Sequence, residues 1–160
     1  MKRLTAMLLL LSMLLCGCAD RLKEPVTFYY IREAYETDMS DLIGSELREA
    51  SGHRDDLSYL MALYLMGPAD EELRSPLPAG TRIHFAELQN NTVILQLSDL
   101  PESMTDVQFT LACGCLTLTC LEITDAESVT IMSGDRSVTL DKDTLLLQDL
   151  TTKNHTEDNK

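Results

Sequence analysis

The chain has 160 residues, with 26 Asp and Glu against 13 Lys and Arg, and 44% of its side chains are hydrophobic. That length suits one globular domain with a real core. A formal charge of −13, with no basic patch interleaved with aromatics, excludes a nucleic-acid surface, opposes anionic lipid headgroups and leaves cationic partners open.

At the N-terminus, Lys2 and Arg3 precede an apolar run over residues 4–15 broken only by Thr5, Ala6 and Ser12, and Gly17 stands just before Cys18. The order resembles a bacterial lipoprotein signal, in which Cys18 is lipidated on sulfur and becomes the first residue of the mature chain. Cys16 is the rival, but Leu15 is too large for the small-residue position that Gly17 fills ahead of Cys18. As a spanning helix the run falls short of about 20 residues. Acyl chains such as palmitate on Cys18 would supply the two or more lipid signals that stable anchoring requires. Loss of residues 1–17 removes Lys2 and Arg3, two positive charges, and takes the formal charge from −13 to −15. Residues 18–25 read as a short tether, reaching at most about 3.5 Å per residue.

The β-branched and aromatic run at residues 26–31 predicts a first strand. Residues 38–54 are ambiguous and read as a short helix over 41–50, closed by Ser51-Gly52. Leu57, Leu60, Met61 and Tyr64 recur at three and four residue spacing, widened by Leu63, which predicts a helix with one buried face. It stops at Gly67-Pro68. A polar stretch runs through Pro76, Pro78 and Gly80 into a strand over residues 81–88. Asn90-Asn91 signals a turn, and Val93, Leu95 and Leu97 alternate as a strand with one more polar face. Ser103 and Asp106 have the spacing of a reciprocal N-cap, opening a helix to about Leu121. Val129 and Ile131 mark another strand, Gly134-Asp135 turns into Val138 and Leu140, and residues 145–147 are a candidate further strand. Two helices and four to six short strands in mixed order predict a compact α/β sandwich, with the helices on one sheet face. Residues 149–160 read as a polar C-terminal tail.

Few residues carry chemistry. Cys113, Cys115 and Cys120 lack the paired spacing of a structural zinc site. On a helix the first two diverge by about 200°, so they read as small buried thiols rather than a disulfide or a metal site. His53, His84 and His155 are scattered, with no neighbouring nucleophile and orienting carboxylate. Asp55-Asp56 and Asp70-Glu71-Glu72 read as solvated surface, and no phosphate loop or metalloprotease His pair is present. Asn90-Asn91-Thr92 fits a glycosylation acceptor, which this type of signal does not call for. The reading is of no catalytic, cofactor-binding or metal-ligating residue.

The stretch Leu65-Met66-Gly67-Pro68 followed by Leu77-Pro78-Ala79-Gly80-Thr81 resembles the centre of the GerMN domain, the sporulation and spore germination domain. Residues 93–98 are similar to its strand after the turn. Thr117-Leu118-Thr119, then Val129-Thr130-Ile131 and Gly134, are similar to its second helix and final strand. The resemblance spans residues 26–148, with departures at Gln96, at Leu116 and in residues 34–54. It implies a two-layer sandwich of a mixed sheet and two main helices, similar to ring-building-motif domains. It also implies a non-catalytic lipoprotein, anchored through Cys18 on the outer face of the cytoplasmic membrane of a Gram-positive bacterium. Such a domain acts in protein interaction or envelope assembly, in sporulation or germination, without cofactors. Its partner is an envelope or germination-related protein, or another copy of itself. Gly67, Pro68, Pro76, Pro78 and Gly80 are expected to fix the turn geometry. An extracytoplasmic ligand-binding protein or hydrolase is the alternative, marked by a deep pocket with convergent polar groups.

Overall fold

The computed structural model describes residues 23–33 and 42–144. The expected first strand is β1 (Pro25–Arg32), whose Val26, Phe28 and Tyr30 turn into the core. Its antiparallel neighbour is β2 (Ile43–Glu49), paired from Pro25 with Glu49 to Ile31 with Ile43. This corrects the helix read over residues 41–50. Glu, Leu, Arg and Ala in that segment are good helix formers, but pairing along the whole of β1 outweighs so weak a local preference.

Helix α1 (Leu57–Leu65) starts where Asp56 accepts a hydrogen bond from the Tyr59 amide at 3.0 Å. It buries Leu60, Met61 and Tyr64, three of the four residues of the predicted stripe. Beyond it, β3 (Leu73–Arg74) adds a short antiparallel rung against Ile31 and Arg32, giving a three-stranded sheet of order β2-β1-β3.

The second sheet has the order β4-β5-β6-β7: β4 (Ile83–Gln89), β5 (Thr92–Leu97), β6 (Ser128–Ser133) and β7 (Arg136–Asp141). Asn90 and Asn91, at φ 50° and 63°, close the β4-β5 hairpin. Two positive φ values in a two-residue loop match the right-handed twist of the flanking strands, and asparagine tolerates them. β5 and β6 run parallel, so a crossover must join them, and α2 (Asp106–Ile123) supplies it. Among the described residues the expected sandwich is therefore built from seven strands divided between two sheets, rather than four to six in one. The candidate strand at residues 145–147 lies outside the described residues.

The cap of α2 lies two residues beyond the expected one. Thr105 Oγ1 accepts from the Gln108 amide at 3.3 Å while Gln108 Oε1 accepts from the Thr105 amide at 2.9 Å. Asp106 is instead the first helical residue, where its charge suits the positive end of the helix dipole. The helix also runs two residues past Leu121. By length and composition α2 could cross a membrane, yet it packs on β1 of one sheet and on β6 and β7 of the other. Residues 112–117 are buried without interruption, the pattern of a helix covered on more than one side.

The edge of β1 away from β2 is closed by side chains. The Tyr29 amide donates to Thr119 Oγ1 of α2 at 3.0 Å, and Tyr29 C=O accepts from the Tyr64 hydroxyl of α1 at 3.0 Å. Tyr30 in turn donates its hydroxyl to Tyr64 C=O at 3.1 Å, with the two rings stacked 4.8 Å apart. The strand, α1 and α2 thus share one partly buried polar junction, in which each of these backbone groups finds a partner.

Candidate interaction surface

On one flank of the second sheet β4 is an edge strand: among the described residues it pairs with β5 alone, α1 packs against it, and Phe85 is 39% and Leu88 46% exposed. Beside it, α1 and the turn before it bound two adjoining open depressions of about 550 and 320 Å³ that share Ser58, Ala86 and Glu87. The larger is polar, with His53, Asp55, Asp56 and Glu87 on its walls. The smaller mixes apolar and polar surface almost evenly, lined by Leu65, Ile83, Phe85 and the buried Met61 together with Ser58, His84 and Glu87. His53 stacks on Tyr59 at 4.2 Å, which fixes one rim. Asp56 is held by its capping bond. The two depressions form one groove along the strand rather than a deep pocket, and this arrangement suits an elongated surface contact more than enclosure of a small molecule.

The turn residues lie beyond the far end of α1. Gly67 takes φ +83° as the chain leaves the helix, its amide bonded to Tyr64 C=O at 3.0 Å. Arg48 donates to Gly67 C=O at 3.0 Å and to Glu46 at 2.8 Å, while Glu46 accepts from the amides of Ala69 and Asp70 at 2.9 and 3.1 Å. A pair of β2 side chains therefore clasps the segment that holds Pro68. Pro76 is buried beside Leu77, Pro78 C=O accepts from the Thr81 amide and hydroxyl, and Gly80 sits between them at φ +86°. These five residues shape the approach to β3 and β4 without lining the groove.

Cys113, Cys115 and Cys120 are free and buried in α2. Burial pushes their thiols up to about 11, 12 and 12 respectively, which disfavours the nucleophilic thiolate. His53 and His84 fall in different halves of the groove, while Cys18 and His155 lie outside the described residues. Among the described residues no group of three His, Cys, Asp or Glu could hold a metal ion. The sequence reading placed a strand at residues 81–88 and solvated carboxylates at Asp55-Asp56, but did not bring them together. Phe85 and Leu88, apolar beside His84, Glu87 and Gln89, were the local signal available.

A profile of the family described as Germane, sporulation and spore germination, matches residues 27–139. Among solved structures, the first GerMN domain of the sporulation protein GerM from Bacillus subtilis aligns with TM-score 0.54 at 12% identity, covering 71% of this chain and 85% of that one. The tandem GerMN domains of the same protein align with TM-score 0.48 at 16% identity, over 70% of this chain and 39% of theirs. A provisionally assigned lipoprotein from Clostridium perfringens aligns with TM-score 0.48 at 15% identity, over 74% and 89%. No curated protein matches the chain by sequence. With the profile spanning most of the chain and the fold similar to that of a GerMN domain, this protein belongs to the Germane family of sporulation and spore germination domains.

Proposed function

We propose that the chain is a lipid-anchored, non-catalytic interaction domain, held through Cys18 on the outer face of the cytoplasmic membrane of a Gram-positive bacterium. There it binds another envelope protein in sporulation or germination. The observation that carries this reading is the β4 edge, which no second strand pairs among the described residues, with Phe85 and Leu88 exposed beside a groove that runs between the strand and α1. An exposed apolar strand edge is a template for another chain, and soluble domains usually blunt or cover such an edge. The buried, protonated thiols and the scattered histidines supply no activated nucleophile beside the groove. The N-terminal order of positive start, apolar run and Gly17-Cys18 supports the anchor.

The test is to express the chain with its native signal in a Gram-positive host, follow incorporation of labelled palmitate and cross-link intact membranes. Label on the wild type, none on Cys18→Ala, and a discrete cross-linked complex lost with the anchor are expected. Label retained by Cys18→Ala refutes the anchor site. Anchored protein that stays uncomplexed refutes the interaction role.

A further inference from the structure

We propose that β4 is a docking strand. An extended peptide segment carrying Lys or Arg beside large apolar residues adds to its open edge, its cations against Asp55, Asp56 and Glu87. This rests on the interaction reading above and gives it a surface and a partner chemistry. The two-residue loop makes Gln89 and Thr92 a mutually bonded pair, so bonded pairs recur at Glu87 with Ile94 and at Phe85 with Gln96. Ala86 and Leu88 therefore direct their N–H and C=O away from β5, and among the described residues no backbone group bonds them on that side. The register shift between Ile83 and Phe85 bends the strand there and confines regular pairing to residues 85–89.

A strand added along those residues gains backbone pairs from two residues. Alternate side chains then select the sequence, which is the usual division of labour when a peptide extends a sheet. In the smaller half of the groove, Leu65 and Phe85 offer apolar surface to a large hydrophobic side chain. Asp55 and Asp56 line the larger half and Glu87 lines both, and among the described residues neither half is lined by Lys or Arg. Charge complementarity thus selects a basic segment. Pairing of β4 with a second copy would instead bring the same carboxylates together on molecules of charge −13, or −15 once residues 1–17 are removed.

The test uses the full chain in detergent micelles with two labelled synthetic peptides of about ten residues, one alternating Lys with Leu and one alternating Glu with Leu. Saturable binding of the Lys peptide alone is expected. Ala86→Pro removes an outward N–H while sparing the ladder to β5, and is expected to weaken binding roughly tenfold, the scale of about 1.4 kcal/mol. Asp55→Lys combined with Glu87→Lys should weaken it at least as much, and Thr139→Pro on β7, at the opposite sheet edge, should not.

Binding unchanged by Ala86→Pro in a chain of native circular dichroism overturns the proposal, as does equal loss from Thr139→Pro. Self-association abolished by Ala86→Pro, with no peptide bound, replaces the basic segment with a second copy and also overturns it. Should Ala86→Pro unfold, the double charge reversal decides alone. A Cys18-dependent membrane complex that survives both β4 variants sinks strand addition while leaving the interaction reading standing. Peptide binding with the expected losses, but no membrane complex, does the reverse.

Discussion

Two buried threonines on α2 should respond in opposite senses to the same substitution. Thr117 and Thr119 are both fully buried. Thr119 Oγ1 accepts the Tyr29 amide of β1, whereas Thr117 Oγ1 has no hydrogen-bond partner among the described residues. Valine keeps the branched shape and removes only the hydroxyl. At Thr119 it leaves the Tyr29 amide unpaired against an apolar methyl, which costs about 1–3 kcal/mol. At Thr117 it deletes a hydroxyl that was desolvated without compensation, so the change is neutral or stabilising by up to about 1 kcal/mol. In a domain of this size 1 kcal/mol moves Tm by roughly 4 °C. Thr119→Val should therefore lower Tm by about 4–12 °C, while Thr117→Val leaves it unchanged or raises it by up to about 4 °C. Urea unfolding of residues 18–160, carrying Cys18→Ser, should show midpoints moving apart with unchanged slope. Equal destabilisation by the two substitutions would refute the claim that Thr119 closes the open edge of β1.

Further expectations concern glycine, the β2 clasp and the thiols. Gly67→Ala forces alanine to φ +83° and should cost about 1 kcal/mol. Gly114→Ala, whose Cβ would meet Ile43 Cδ1 at an ordinary 3.8 Å, should stabilise by about 0.5–1 kcal/mol; chemical denaturation separates the two. Glu46→Gln replaces one of the carboxylate oxygens that receive the Ala69 and Asp70 amides with a donor, and should cost about 1–3 kcal/mol in the same assay. The thiols ionise at about 11 to 12 when folded against a reference of 9.0. Their contribution is full below pH 9 and falls as pH rises towards those values, because the unfolded chain ionises first. With about 1.4 kcal/mol per pH unit for each fully displaced group, the unfolding midpoint in urea should drop steeply between pH 9 and 11. A triple Cys→Ala variant should flatten that drop.

β-branched and aromatic content made β1 legible, Asn90-Asn91 marked the β4-β5 turn, and the repeat of one buried face at two or at three to four residues revealed β5, β6 and α1. β2 was misread because its Glu, Leu, Arg and Ala favour a helix and only the distant partner strand makes them extended. Angular spacing on an isolated helix put Cys113 and Cys115 on different sides, and both are buried all the same because α2 contacts both sheets. Sheet order is a non-local property. Nothing within residues 81–88 says that β4 lies at an edge, or that Asp55 and Asp56 stand across a groove from it. The candidate surface consequently emerged only from the fold.

The most direct measurement is site-specific photocross-linking in the native host, with the photoreactive side chain at His84 in the groove and, separately, at Thr139 on the opposite sheet edge. An adduct from His84 alone to one envelope protein through a basic extended segment, abolished by Cys18→Ala, is the predicted result. Adducts of equal yield from both positions, or none from His84 in correctly anchored protein, would contradict an anchored domain that binds through β4.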